Sequence, residues 1–134
     1  MSQIILNACS QRQKTVIPKG TILLQQDGKS GSLYVLASGT VSIMRGPVEV
    51  AEIFAPGSVF GETSLLLGSL HTATVKTKTE CEIYVFEDGA AFIRDNPKIT
   101  YEIATLLAKR LRKATDFIAD LNESARNAAN IWAW

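Results

Sequence analysis

The feature that most restricts the fold of this chain is a series of short apolar runs, each ended by glycine, proline or another turn residue. The turn signals include Asp27-Gly28, Ser38-Gly39, Gly46-Pro47 and Pro56-Gly57. This regular punctuation predicts an antiparallel sandwich or barrel of roughly seven or eight short strands. The predicted strands are Thr15–Ile17, Thr21–Leu24, Leu33–Leu36, Val41–Met44, Val48–Phe54, Thr72–Thr77 and Ile83–Phe86.

The period of the apolar residues changes after Asp88. Asn96 is a good helix N-cap, and Pro97 suits the first helical position. No glycine or proline follows, which predicts a long helix. Its apolar residues recur in steps of three and four and form a heptad seam. The seam consists of Ala104, Leu107, Leu111, Ala114, Ile118, Leu121, Ala125, Ala128 and Trp132.

This seam has two interpretations. Part of it is expected to pack on the β structure of the same chain. A helix of ~35 residues would be ~50 Å long, however, and would extend past a domain of this size. The later half of the helix is therefore predicted to pair with a second copy and form a homodimer.

Length and composition favour one ordinary globular domain. The chain has 134 residues and a net charge of +1, so no strongly basic surface indicates nucleic acid. Cys9 and Cys81 are predicted to be reduced thiols, and with a single histidine we expect no metal and no cofactor. No membrane-spanning run or secretory signal is visible, which makes a cytoplasmic location the default.

The stretch from Phe60 to Val75 carries the most chemistry. Gly61 permits a left-handed backbone, and Glu62 precedes a predicted helical turn at Thr63–Leu67. Unpaired N–H groups in the first turn of a helix can hold an anion. A carboxylate beside such a site is expected to accept a hydrogen bond from a hydroxyl group. Phosphate on amides with a sugar hydroxyl on a carboxylate is typical of a nucleotide pocket.

This stretch resembles the phosphate-binding cassette of cyclic nucleotide-binding domains, as in the sensor domain of bacterial Crp/Fnr-type regulators. The family motif begins Phe-Gly-Glu, as at residues 60–62, and ends Arg-x-Ala-x-Val, where residues 71–75 read HTATV. The turn glycines Gly20, Gly28, Gly39 and Gly57 and the segment 34–39 also fit the family. The resemblance runs from about Val16 to Leu121.

The resemblance implies a mainly β, α+β fold: an antiparallel β-roll, or double-stranded β-helix jelly roll, with a short cassette helix and long C-terminal helices. We expect a single domain over residues 1–134, with the roll at about 15–87 and the helices at about 89–130. The implied ligand is a cyclic nucleotide, cAMP or cGMP. The implied ligand-binding residues are Phe60, Gly61, Glu62, Thr63, Ser64, Leu65, His71, Thr72 and Ala73.

Within this set the resemblance assigns distinct roles. Glu62 would bind the ribose 2′-hydroxyl, and the amides of about Thr63 to Leu65 would bind the cyclic phosphate. Phe60 is better explained as a core residue than as a ligand contact. Thr72 occupies a position that reaches the guanine amino group in some relatives, although domains that prefer cAMP also carry threonine there. The apolar walls for the base would be Val59, Ile83 and Val85.

His71 departs from the family motif because it stands where the phosphate-pairing arginine belongs. Arginine is always charged and pairs bidentately, whereas histidine offers one or two single donors. Three interpretations remain open: a weaker replacement donor, an exposed loop residue in a degenerate pocket, or a site that binds through amides and Glu62 alone.

Other function classes fit less well. The chain lacks a nucleophile elbow, a P-loop and the several histidines of a cupin metal enzyme, so an enzyme is not expected. No helix-turn-helix DNA reader is recognisable after the long helix. The two remaining hypotheses are a regulatory module that senses a ligand and a ligand-free module for dimerisation or docking.

Overall fold

The computed structural model describes residues 3–121, and this part of the chain forms eight strands and four helices. The strands are β1 Thr15–Ile17, β2 Ile22–Leu24, β3 Leu33–Ser38, β4 Val41–Arg45, β5 Val48–Ile53, β6 Val59–Phe60, β7 Thr74–Thr77 and β8 Cys81–Phe86. The helices are α1 Gln3–Ala8, α2 Glu62–Leu67, α3 Gly89–Asp95 and α4 Pro97–Leu121. No helix among the described residues has the length and apolar character needed to span a membrane.

The strands form two four-stranded sheets. The first has the order β1-β8-β3-β6 and the second β2-β7-β4-β5. Every strand is antiparallel to each of its neighbours. This arrangement, with two short helices and one long helix after the first strand, confirms the predicted mainly β jelly-roll fold.

The core is built from alternate residues of strands in both sheets. Burying one large apolar side chain contributes roughly 1.5–3 kcal/mol, so this cluster is a main source of stability. Phe60 is among its members, which confirms the prediction that Phe60 is a core residue. The buried cluster consists of Leu24, Leu36, Val41, Phe60, Val75, Cys81 and Ile83.

Strand β5 is exposed along almost its whole length. It lies at the edge of its sheet, where only β4 pairs with it. On one face, Glu49 and Glu52 bind the Lys78 ammonium at 3.1 and 2.9 Å. Hydrogen bonds from Ser42 and then Lys78 hold the pKa of Glu49 below its ordinary value.

The N-terminal segment packs against the end of β8 and against α3 through a cluster of Arg12, Phe86 and Phe92. The rings of Phe86 and Phe92 stack with their centroids 3.9 Å apart, and the Arg12 guanidinium lies 4.6 Å from the Phe86 centroid. Cys9 is fully buried nearby in the sequence, and burial raises the pKa of its thiol to about 11 although Arg12 acts in the opposite direction. Both cysteines are free thiols.

The two later helices meet at Asn96. The Asp88 carboxylate accepts the Ala91 N–H at 3.1 Å and caps α3. The Asn96 carbonyl accepts the Thr100 N–H at 3.0 Å, as expected before α4, while its side-chain amide donates to the Phe92 carbonyl at 2.7 Å. Asn96 therefore ends α3 and precedes α4.

The chain divides into two units, Met1–Glu102 and Ile103–Trp134. The first contains both sheets and the cassette, and the described part of the second is helical. The single-domain boundaries therefore stay a prediction. Along α4, Leu111, Ile118 and Leu121 are exposed. The later seam positions Ala125, Ala128 and Trp132 lie outside the described residues.

Candidate functional site: the cassette at residues 60–75

The cassette, residues 60–75, begins at a glycine that the backbone requires. Gly61 has φ +95°, a left-handed conformation, and is the N-cap of α2. A Cβ atom at this position would lie 2.7 Å from the Ser32 carbonyl oxygen. Only glycine therefore permits both the turn and the close approach of the loop before β3.

Of the three backbone N–H groups predicted to bind an anion, that of Leu65 is already used inside the first turn of α2. The Gly61 N-cap supplies no side-chain acceptor, and the Leu65 N–H reaches the Gly61 carbonyl at 3.4 Å. The N–H groups of Thr63 and Ser64 precede this first i→i−4 bond, as in any helix. The helix ends at Gly68, with φ +63°, one turn later. Such a turn is electropositive at its start and favours an anion there.

Glu62 lies in this first turn and is buried, with only 5% of its surface exposed. The carboxylate is therefore drawn into the protein and is not directed into bulk water. Its position at the start of α2 is electrostatically favourable. A buried carboxylate makes stronger hydrogen bonds than one in water because the surrounding dielectric constant is lower.

His71 is also buried, at 5% exposure, and both of its ring nitrogens are engaged. Nδ1 lies 2.9 Å from the Ser64 hydroxyl, and Nε2 lies 3.1 Å from the Ser30 hydroxyl. The His71 N–H donates to the Gly28 carbonyl at 2.9 Å, and its carbonyl accepts the Asp27 N–H at 2.8 Å. The interpretation of His71 as an exposed loop residue is therefore wrong.

The structure thus brings Ser64 and His71 into direct contact and adds Ser30, which the sequence did not indicate. Ser30 is 41 residues from His71 along the chain and matches no motif, so no local signal identified it. Among the other predicted residues, Thr63, Leu65 and Ala73 are half-buried and Thr72 is exposed. Leu65 approaches α3, because a Cβ atom added to Gly89 would lie 2.6 Å from its Cδ1.

Of the three apolar residues predicted to contact the base, only Val85 has an exposed side chain. Val59 and Ile83 are buried in the protein, with 2% and 0% of their surfaces exposed, so they present no free surface to a ligand. Val85 is exposed at 36%. The alternation of β8 places Ile83 in the core cluster, which the motif alone did not reveal.

The described residues also contain no group of histidine, cysteine and carboxylate side chains that could hold a metal ion. The donors gathered at the cassette are amides, hydroxyl groups, one imidazole and one carboxylate. Such a set can recognise an anion and a sugar hydroxyl together.

Comparison with known proteins decides the family. Residues 14–92, more than half of the chain, match the model of the cyclic nucleotide-binding domain. The chain belongs to this family. It is 35% identical over 128 residues to the cyclic AMP receptor protein of Thermus thermophilus, an alignment that covers 90% of this chain and 59% of that protein. The chain therefore spans less than two thirds of the length of this curated relative.

Two solved structures superpose on this chain. The crystal structure of the Thermus thermophilus catabolite activator protein superposes with a TM-score of 0.65 at 32% identity, over 90% of this chain and 60% of that one. A cyclic nucleotide-binding domain from Methylobacillus flagellatus superposes with a TM-score of 0.71 over 91% and 75% of the two chains. The latter is 22% identical and so supports the fold alone.

Proposed function

We propose that this chain is a regulatory domain that binds a cyclic nucleotide at the cassette and couples its occupancy to the position of the C-terminal helices. The observation that carries the proposal is the buried carboxylate of Glu62 in the first turn of α2, directly after the left-handed Gly61. Family membership supports it, because residues 14–92 include the whole cassette.

The proposed recognition divides between two kinds of group. The N–H groups of Thr63 and Ser64, which precede the Leu65 N–H bond to the Gly61 carbonyl, would bind the cyclic phosphate, and Glu62 would accept the ribose 2′-hydroxyl. Each hydrogen bond to a charged group is worth roughly 1.5–3 kcal/mol. An acyclic nucleotide presents a phosphate with a different shape and charge, so the site is expected to prefer the cyclic form.

His71 changes the strength of this site rather than its location. The imidazole carries no permanent charge, and both nitrogens already contact serine hydroxyls. Loss of one charge-assisted pair costs roughly ten- to a hundred-fold in affinity, since ~1.4 kcal/mol is a factor of ten. We therefore propose weaker binding than in relatives that retain the arginine.

Between the two ligands, cAMP is the first candidate. The similar Thermus thermophilus protein is described as a cyclic AMP receptor. Thr72 is the one residue in the motif with a possible link to cGMP, and it is exposed. Parallel titrations with cAMP and cGMP measure the preference.

The coupling to the helices has a physical route within residues 3–102. Leu65 on α2 lies against Gly89, the first residue of α3, and the Gly89 N–H donates to the Gly31 carbonyl at 2.9 Å. A shift of the cassette would therefore change the packing at the start of α3. The nucleotide can act in this way only if the two helix arrangements differ in their affinity for it.

A second function is favoured by one specific observation. The engagement of both His71 nitrogens by the protein itself suits a cassette that has lost its ligand. The chain would then serve as a dimerisation or docking module, and exposed Leu111, Ile118 and Leu121 on α4 would form the contact surface. Sedimentation equilibrium would detect such a homodimer whether or not nucleotide is present.

The decisive experiment is a calorimetric titration of the chain with cAMP, cGMP and 5′-AMP. The proposal expects saturable binding of a cyclic nucleotide and weaker binding of 5′-AMP. Glu62→Gln keeps the shape of the side chain but removes its charge, and should weaken binding about ten- to a hundred-fold. The matched control is Glu80→Gln at an exposed glutamate, which should bind as the wild type does. Absence of binding at millimolar nucleotide would leave the docking module as the better account.

A further inference from the structure

The loop at residues 27–32 holds both ends of the cassette. At the start of the cassette, the Ser32 carbonyl packs against Gly61. At the end, Ser30 contacts the His71 ring, and residues 27 and 28 bond to the His71 backbone. The carbonyl of Gly31, which follows Ser30, accepts a hydrogen bond from the Gly89 N–H at the start of α3. The loop is thus placed to fix the shape of the cassette before any ligand arrives.

Only one arrangement of protons on a neutral ring satisfies all three hydroxyl and imidazole contacts at once. In this arrangement the Ser64 hydroxyl gives its single proton to the Gly61 carbonyl, 3.3 Å away, because that carbonyl can only accept. The same hydroxyl then accepts from Nδ1–H of His71 at 2.9 Å. A neutral imidazole then has a bare Nε2, which accepts the Ser30 hydroxyl at 3.1 Å.

We infer that Ser30 is a positioning residue of the candidate nucleotide site. By donating to Nε2 it holds His71 as the Nδ1–H tautomer, and this tautomer in turn directs the Ser64 hydroxyl to the Gly61 carbonyl. The imidazole then has no free donor for a ligand.

This inference rests on the proposed function for its ligand, but its central step is visible in the free protein. His71 is the only histidine in the sequence, so one imidazole pattern appears in a long-range ¹H–¹⁵N correlation spectrum. In the wild type, a neutral ring should show a protonated Nδ1 and a bare Nε2. Ser30→Ala should shift the spectrum towards a mixture of tautomers, and Ser30→Thr should restore the wild-type pattern.

The matched control is Ser38→Ala, because Ser38 makes a comparable hydrogen bond to the Glu82 carboxylate at 3.0 Å. This variant should leave the His71 spectrum unchanged. Titration with cAMP should show affinity lowered about two- to ten-fold in Ser30→Ala, the net worth of one hydrogen bond, and regained in Ser30→Thr.

The outcomes separate the two proposals. A wild-type ring protonated at Nε2, or the same spectrum in the wild type and Ser30→Ala, would overturn the inference whatever the affinities are. Normal cAMP binding by Ser30→Ala would also overturn it while leaving the proposed function intact. If the wild type binds no cyclic nucleotide, the proposed function fails and Ser30 has no ligand site to position, even with the expected tautomer.

Discussion

At the scale of single residues, the site depends on two polar side chains that the fold has removed from water. Glu62 and His71 are equally buried, yet only Glu62 retains the residue type of the family motif. A buried polar group is costly unless it has partners, and His71 has a serine on each ring nitrogen. The imidazole is thus stabilised by the protein in the position that the family motif gives to an arginine.

His71→Arg should raise the affinity for cyclic nucleotide by about ten-fold or more, because a guanidinium can pair bidentately with the phosphate. The larger side chain must enter a buried site, so the free energy of unfolding should fall by roughly 1–3 kcal/mol. Calorimetry and thermal unfolding would measure the two effects. His71→Gln, which is neutral, is the control. Equal affinity of the Arg and Gln variants would show that the phosphate does not lie beside residue 71.

A second prediction at this scale concerns Cys9. Its thiol has a pKa of about 11 in the folded protein, against an ordinary value of 9.0. The folded state therefore holds this proton more tightly than the unfolded chain. The contribution of Cys9 to stability is complete below pH 9.0 and is lost as the pH rises towards 11.

At most, this loss is roughly 2–3 kcal/mol, at about 1.4 kcal/mol for each unit of pKa shift. Urea unfolding of the wild type and Cys9→Ala across this pH range would measure it. The wild type should lose stability more steeply than the variant. If the stability of the two proteins changed with pH in the same way, the claim that burial raises the pKa of Cys9 would be contradicted.

At the scale of elements, α2 is delimited by two glycines with the same backbone preference and different surroundings. Gly61 and Gly68 both have positive φ, but only Gly61 has a neighbour within reach of a Cβ atom, the Ser32 carbonyl oxygen. The start of the helix is therefore constrained by packing as well as by conformation. Its end is constrained by conformation alone.

Alanine at each position would separate these contributions. Gly68→Ala should destabilise the protein by about 1 kcal/mol, the cost of left-handed backbone for a residue with a side chain. Gly61→Ala should cost more, roughly 2–4 kcal/mol, because the Ser32 carbonyl must also move. Chemical denaturation would give both values. Equal losses would mean that the loop before β3 does not press on the cassette.

The elements also show what could be predicted from the sequence. Turn glycines and prolines located most strands to within two residues, and the helical turn predicted at Thr63–Leu67 is α2, Glu62–Leu67. The two-residue strand β6 was missed because it merges with the cassette motif. The exposure of β5 could not be predicted, because the apolar runs do not reveal which strand lies at a sheet edge.

For the site, the motif located Glu62 and His71 but not the environment of the histidine. Burial of residue 71 follows from non-local pairing with residues 27, 28 and 30, and no local pattern encodes such pairing. The motif also suggested base contacts at Val59 and Ile83, which instead lie in the interior. The motif therefore predicted which positions belong to the site. It did not predict the hydrogen-bond partners of those residues.

At the scale of the whole molecule, the jelly roll places the cassette between a loop and a helix. The loop at 27–32 contacts the cassette at both ends, and its Gly31 carbonyl receives the first N–H of α3. Binding at the cassette would be linked to stability, since a ligand at a hundred times its dissociation constant adds about 2.7 kcal/mol. The same contacts give the proposed route from the ligand to the helices.

The central claim is that a cyclic nucleotide binds to the first turn of α2, and amide mapping tests it most directly. A ¹H–¹⁵N spectrum recorded during a cAMP titration, with a parallel cGMP titration, reports on each backbone N–H separately. We predict saturable shifts centred on Gly61, Glu62, Thr63, Ser64 and Leu65, with smaller changes at His71 and Gly89. Spectra that stay unchanged at millimolar nucleotide, or shifts that leave residues 61–65 unaffected, would contradict the account.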